Sequence, residues 1–226
     1  MKQRGPGTTA VHGRRGAPRG PLATPIVQTS TFAFASAAEM RRYLEGDEEL
    51  FLYTRYATPT VRELEEALAA VEGAEAALAL SSGMAAMTTA VTSLVQAGDE
   101  VLASASLYGG TVRLLTELLP RFGVAGRLVG VPDLARIAGV AGERSRVLIV
   151  ESPTNPTLEV VDLAAVCASA HSRGLVVIVD NTFATPLLQR PLALDADLVL
   201  HSLTKALAGH GDLIGGALVG PRPRID

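Results

Sequence analysis

Apolar and polar positions along this chain change character near residue 58. Beyond it, short runs recur in which successive residues are apolar: 76–80, 101–104, 128–131, 147–150, 176–179 and 198–200. Runs without polar alternation are the mark of strands covered on both faces. Between them lie stretches of helical character, at 84–96, 111–122, 133–140 and 163–173. Alternation of this kind predicts an α/β fold, a three-layer sandwich in which helices cover a mainly parallel sheet.

The sharpest helical signal opens at Thr58-Pro59. Thr58 is a capping residue type, Pro59 suits the first helical position, and Val61, Leu64, Leu68 and Val71 recur on one face before Gly73 closes the segment. A shorter helix is expected over 37–45, ended by Gly46-Asp47. Residues 1–30 hold Gly, Pro, Thr and Arg without periodicity and read as an extended arm. The predicted organisation is therefore an N-terminal arm and helix over 1–58 and an α/β domain over 59–226.

The uncharged run 76–98 raises the question of a membrane span. Ser81-Ser82-Gly83 breaks it, and Thr88, Thr89, Thr92, Ser93 and Gln96 make it too polar, so a strand followed by a buried helix is expected. Basic residues at 2, 4, 14, 15 and 19 are followed by no apolar stretch, so no signal peptide is expected either.

Composition narrows the function classes. Twenty basic residues oppose 23 acidic ones, for a net charge of −3. That balance excludes a nucleic-acid binder that works by phosphate neutralisation. Charged residues make up only 19% against 48% apolar, which points to extensive burial or an oligomer interface. The single cysteine, Cys167, allows no internal disulfide and fits a reducing, cytoplasmic setting. Eighteen of the basic residues are Arg; the lysines are Lys2 and Lys205. An isolated internal lysine in so Arg-rich a chain is a candidate for chemistry.

Ligands in parallel α/β folds sit beyond the carboxyl ends of the strands, so the residues that follow each apolar run are the informative ones. Ser81-Ser82-Gly83-Met84 opens a helix. It is either a plain turn or an anion site built from helix N-terminal N–H groups. Tyr108, beside Gly109-Gly110, either plugs the sheet end or lies flat on a planar ligand. Asn155, between Pro153 and Pro156, is a turn former or a hydrogen-bond donor to a ligand. Asp180 ends a wholly apolar strand, where a carboxylate is costly unless paired. It is an N-cap or the acceptor for a protonated ring nitrogen. Ser202, Thr204 and Lys205 follow the last run, and burial of such a lysine favours the free amine that attacks carbonyls. His201, His210 and Asp212 match no ligand spacing, so no metal is expected, and the chain lacks a Gly-x-Gly-x-x-Gly signature after an early strand.

Taken together these pieces describe a site for pyridoxal 5'-phosphate (PLP). Gly83, Met84, Ser202 and Thr204 would supply phosphate donors and Tyr108 a stacking ring. Asp180 would partner the ring nitrogen, and Lys205 would supply the Schiff-base amine.

The chain also resembles the PLP-dependent transsulfuration enzymes of cysteine and methionine metabolism, of the cystathionine γ-synthase and γ-lyase kind. The resemblance rests on Pro25–Phe32, Tyr53-Thr54-Arg55, Ser82-Gly83-Met84, Tyr108-Gly109-Gly110-Thr111, Glu151-Ser152-Pro153-Thr154-Asn155-Pro156, Asp180-Asn181-Thr182-Phe183 and Ser202-Leu203-Thr204-Lys205 with Gly209-His210-Gly211-Asp212. It implies the large domain of fold type I PLP-dependent transferases. It further implies that Lys205 carries the cofactor and shuttles protons, that Asp180 keeps the pyridine nitrogen protonated, and that Tyr108 stacks and assists proton transfer. Asn155 would bond the ring hydroxyl. Tyr53 and Arg55 would reach the phosphate of a neighbouring subunit in a homodimer or homotetramer.

Thr58-Pro59-Thr60 stands where the family commonly has Asn-Pro-Thr. Gly110 stands where methionine γ-lyases typically carry Cys, which weighs against that activity. The resemblance also implies a smaller C-terminal domain, with the Arg that holds the substrate carboxylate, beyond the residues present here. The expected activity is γ-replacement or γ-elimination on homoserine esters, cystathionine or related sulfur amino acids. The alternative is a PLP-binding domain of weak or no catalytic activity.

Overall fold

The computed structural model describes residues 5–12, 23–47 and 49–226. Its centre is one seven-stranded sheet: β1 (Ala76–Leu80), β2 (Glu100–Ser104), β3 (Ala125–Val129), β4 (Ser145–Glu151), β5 (Val176–Asp180), β6 (Leu198–Ser202) and β7 (Gly216–Gly220). Their order across the sheet is β1-β7-β6-β5-β4-β2-β3. Only β7 runs against the rest, pairing antiparallel with both β1 and β6. The mainly parallel sheet is thus as expected, with one reversed strand that went unread.

The helices are α1 (Pro6–His12), α2 (Ala37–Leu44), α3 (Pro59–Glu72), α4 (Gly83–Leu94), α5 (Gly109–Arg113), α6 (Leu163–His171), α7 (Thr185–Leu188) and α8 (Arg222–Ile225). Among the described residues, no helix is long and apolar enough to cross a membrane.

The three layers explain why the strands show no polar alternation. Val101, Ala103, Val147, Ile149 and Ile178 point into one core with α4 and the segment after α5. Their neighbours Leu102, Leu148, Val150, Val177 and Val179 point into a second core with α6. At the other end of the sheet, Val199, Ala217 and Val219 pack against Leu68 and Ala69 of α3. Period-two geometry therefore places successive apolar residues in different cores.

Four expectations need correction. Residues 6–12 of the anticipated extended arm are helical, although residues 13–22 of that arm lie outside the described residues. The strand expected at 128–131 lies at Ala125–Val129. Its edge position leaves Ala125 and Leu128 exposed and only Val129 buried, so the apolar run misjudged its frame. The helix expected over 111–122 is α5 followed by a π-helical turn, Leu114–Leu118, and a 3-10 turn, Leu119–Phe122. Pro120 has no N–H to continue the α ladder there. Residues 131–139 are 3-10 helix interrupted at Arg136 (φ −117°, ψ 27°) rather than one α-helix.

Helix α3 closes on Gly73 in the left-handed conformation (φ 76°), as expected, but Thr58 makes no side-chain cap and its Oγ1 is buried without a hydrogen-bond partner. Leu68 on the predicted face is buried, whereas Val61 and Leu64 remain largely exposed beside an apolar groove.

Candidate active site

The carboxyl ends of the central strands open on one cavity of about 220 Å³. Five strand ends contribute to it in turn. Gly83 and Met84 follow β1, Tyr108 follows β2, Asn155 follows β4, Asp180 ends β5, and Ser202, Thr204 and Lys205 follow or end β6. Eight of the ten anticipated site residues thus share one space.

One end of the cavity is suited to an anion. Ser82 caps α4, its Oγ accepting from the Ala85 N–H at 3.0 Å. The Gly83 and Met84 N–H groups are first-turn donors with no carbonyl four residues back. Two glycines bring this helix start against the neighbouring strands. A Cβ on Gly83 would stand 2.8 Å from Ser202 Cβ, and one on Gly216 would stand 2.0 Å from the Ser82 carbonyl oxygen. The approach of Ser202 to the helix N-terminus exists because position 83 has no side chain. Such a cradle of N–H donors and a hydroxyl fits a phosphate.

The other end is acidic. Asp180 Oδ1 accepts from both the Thr182 N–H (3.1 Å) and the Thr182 hydroxyl (2.6 Å), which leaves Oδ2 for a ligand. Burial holds the Asp180 carboxyl above its ordinary range, and the Thr182 bonds and the His201 charge only partly offset this. A cationic ring nitrogen in the cavity would supply the missing counter-charge. Thr182 also links the two ends, because its Oγ1 accepts from the Ser202 N–H at 2.9 Å.

Thr182 and Glu151 are site residues that sequence reasoning quoted within motifs and gave no role. Glu151 ends β4 as Asp180 ends β5, and the two are Cα partners across the parallel ladder. Its Oε2 accepts from the Tyr108 N–H at 2.9 Å. Burial first, and then the charge of Asp180, push the Glu151 carboxyl up to about 7, against the lowering effect of the Tyr108 and Asn155 N–H groups. The available signal was the one used for Asp180, an acid ending an apolar strand.

Other placements differ from expectation or refine it. Lys205 is exposed at the cavity rim rather than buried, because it lies on the turn after β6 with only exposed chain, Gly209–Ile214, beyond it. The Thr204 hydroxyl is engaged by Gly215, donating to its carbonyl (3.2 Å) and accepting from its N–H (3.1 Å). Tyr108 is 49% exposed, and its ring lies close over Gly110, where a Cβ would come within 2.5 Å of Tyr108 Cε1 and 3.0 Å of Met84 Sδ. Asn155 is half-buried at the cavity wall.

Tyr53 and Arg55 do not line this cavity. They belong to a separate unit in which Thr31 bridges to Tyr53 and the Arg55 guanidinium lies over the rings of Tyr53 (5.0 Å) and Tyr56 (5.3 Å). Arg55 is exposed and pre-aligned by this stacking.

The chain is 45% identical over 221 residues to an L-methionine gamma-lyase of Fusobacterium nucleatum, covering 97% of this chain and 56% of that protein. It is 41% identical over 208 residues to an O-succinylhomoserine sulfhydrylase of Pseudomonas aeruginosa, covering 92% and 52%. Among solved structures it superposes on metB of Corynebacterium glutamicum with a TM-score of 0.89 at 35% identity, over 99% of this chain and 57% of that one. It also superposes on cystathionine gamma-lyase of Lactobacillus plantarum, complexed with L-serine, with a TM-score of 0.87 at 36% identity, over 97% and 56%. The chain therefore spans about half the length of the curated relatives it matches. The model of the family described as Cys/Met metabolism PLP-dependent enzyme matches residues 7–225, and the chain belongs to that PLP-dependent family.

Proposed function

We propose that this chain holds the cofactor-binding part of an enzyme that replaces or eliminates the γ-substituent of a homoserine ester, cystathionine or a related sulfur amino acid. The observation that carries the reading is the single cavity in which a helix N-terminus, a buried carboxylate, an aromatic ring and a lysine amine meet. The printed names of relatives, a gamma-lyase and a sulfhydrylase, support chemistry at the γ-carbon.

PLP bound in this cavity supplies an electron sink that stabilises negative charge next to the amino-acid nitrogen. The chain's residues would then divide the work. Gly83, Met84 and Ser202 donate hydrogen bonds to the phosphate, with Thr204 joining them by exchanging its Gly215 bonds. Asp180 holds a proton on the ring nitrogen through Oδ2. Tyr108 covers the ring, and Asn155 reaches its hydroxyl. Lys205 Nζ would hold the cofactor and, as a free amine, would take up and return the α-proton. Arg55, paired with Tyr53, grips a phosphate in a neighbouring copy, since its stacking presents the guanidinium outward. That makes the assembly a homodimer or homotetramer. The buried free Cys167 suits a reducing cytoplasm.

One observation favours the second reading, a PLP-binding unit of weak or no activity. Among the described residues lining the cavity, Lys205 is the only cation, so none is left there to hold a substrate carboxylate.

Visible absorbance of the purified chain with added PLP, with and without Lys205→Ala, tests the cofactor assignment. The wild type should be yellow and the variant should lose the lysine-bound band. A colourless wild type sinks the assignment. Ketoacid release from homoserine esters, cystathionine and methionine then separates the readings, because cofactor binding without turnover favours the second. Mixing Arg55→Ala with Lys205→Ala chains should restore activity if the site is shared.

A further inference from the structure

Glu151 is a buried acid for which the proposed mechanism has no use. It is 4% exposed, ends β4 at the cavity wall, and faces Asp180 from the adjacent strand in register. Two buried carboxylates side by side are unfavourable unless each has a partner. Asp180 has Thr182. Glu151 has backbone N–H groups: that of Asn155 in its own loop, and that of Tyr108, 43 residues away, bonded at 2.9 Å. Tyr108 stands at the start of α5, its carbonyl accepting from the Thr111 and Val112 N–H groups, so whatever holds its nitrogen fixes where the ring leaves the backbone. The Ala105 N–H also reaches the Val129 carbonyl (2.7 Å) and the Ser106 N–H the Ser104 hydroxyl (3.3 Å), but among the described bonds it is the Glu151 carboxylate that holds the Tyr108 nitrogen itself.

We infer that Glu151 is a positioning residue: its carboxylate pins the Tyr108 backbone so that the ring covers the cofactor, and it acts as a second acid beside Asp180 that sets the charge around the ring. This rests on the reading that the cavity holds PLP. The groups facing Glu151 are Asp180 from β5, Tyr108 from the loop after β2 and the Asn155 N–H of its own loop, and Lys205 from the turn after β6 lines the same cavity. His201 on β6 is turned away and bonded to Glu72. Glu151 in its ionised form therefore adds a negative charge to a cavity whose only lining cation among the described residues is Lys205. Removing that charge should disfavour protonation of cationic groups there.

The test compares Glu151→Ala, which removes the acceptor and the charge, with Glu151→Gln, which keeps an acceptor oxygen and removes the charge alone. PLP dissociation constants and the pH midpoint of the bound-cofactor absorbance are measured on the full chain. Glu151→Ala should weaken PLP by about tenfold, the loss of one charge-assisted hydrogen bond. Glu151→Gln should bind within about threefold of wild type and still move the absorbance midpoint to lower pH. In a Tyr108→Ala background, Glu151→Ala should add little further loss, because the two act through one contact.

Equal affinities and an unmoved midpoint across all three proteins would overturn the inference. So would full additivity with Tyr108→Ala. Failure of the wild type to bind PLP at all would instead count against the cofactor reading, and apo-protein melting curves exclude unfolding as the cause of any loss.

Discussion

Glu72 and His201 stand 129 residues apart in sequence and meet as a wholly buried pair, Glu72 Oε1 against His201 Nε2. Asn181 Nδ2 donates to the same Glu72 oxygen at 3.1 Å, and Gln189 joins Asn181 to the Ser152 carbonyl. The end of α3 is thereby tied to the residues next to Asp180, Ser202 and Glu151. Removing one partner of a buried pair strands the other, which costs about 3–5 kcal/mol. Glu72→Ala should lower unfolding free energy by that order in urea titration, and Glu72→Gln, which keeps an acceptor for both donors, by clearly less. Equal losses would show that the packing volume matters and the pairing does not.

Glu151 predicts a pH dependence of the apo-protein. Its carboxyl is raised from 4.5 to about 7 on folding. Below 4.5 both folded and unfolded chains hold the proton. As pH rises toward 7 the unfolded chain releases it first, so the stabilisation is lost across that window. Unfolding free energies measured from pH 4 to 8 should fall more steeply for wild type than for Glu151→Gln. A wild-type curve that parallels the variant's would refute the shift.

Thr182 joins Asp180 at the acidic end of the cavity to Ser202 at the end suited to an anion through one hydroxyl. Thr182→Val keeps the volume, removes a donor from Asp180 and leaves the Ser202 N–H without its acceptor. PLP affinity should drop about tenfold, with Thr182→Ser restoring most of it. Isothermal titration with PLP reads this directly.

Position 216 tolerates no side chain. A Cβ there would sit 2.0 Å from the Ser82 carbonyl oxygen, and that neighbour is backbone, which cannot swing aside. Gly216→Ala should cost about 1–3 kcal/mol and weaken PLP, because the turn that would cradle the phosphate is displaced. Gly139→Ala, whose Cβ meets nothing within 4 Å, is the control and should melt like wild type. A Gly216→Ala protein that keeps full stability and affinity would contradict this packing.

The sheet was legible in the chain because its strands are buried on both faces, and apolar runs such as 147–150 report that directly. The cavity was legible where chemistry sits next to a strand end, as at Asp180 and Lys205. What escaped detection depends on partners distant in sequence. Strand β7, Gly216–Gly220, is a short run whose identity comes from pairing with β1 and β6. Glu72 lies on the predicted face of α3 beside Val71, and only the fold reveals that His201 awaits it. The exposure of Lys205 reflects what does not cover it, which no residue pattern within 201–212 encodes.

Strand β7 also sets an order of events. The segment carrying Ser82 and Gly83 is made early, and the turn carrying Lys205 late, yet the two become neighbours only when β7 inserts between β1 and β6. During synthesis the β2–β5 region can pair with strands already present, whereas β1 has no partner in the sheet until residues 216–220 emerge. Closing so distant a contact is slow. The end of the cavity suited to an anion, where Gly83 meets Ser202, is therefore completed after the acidic end at Asp180, whose strand already lies between β4 and β6.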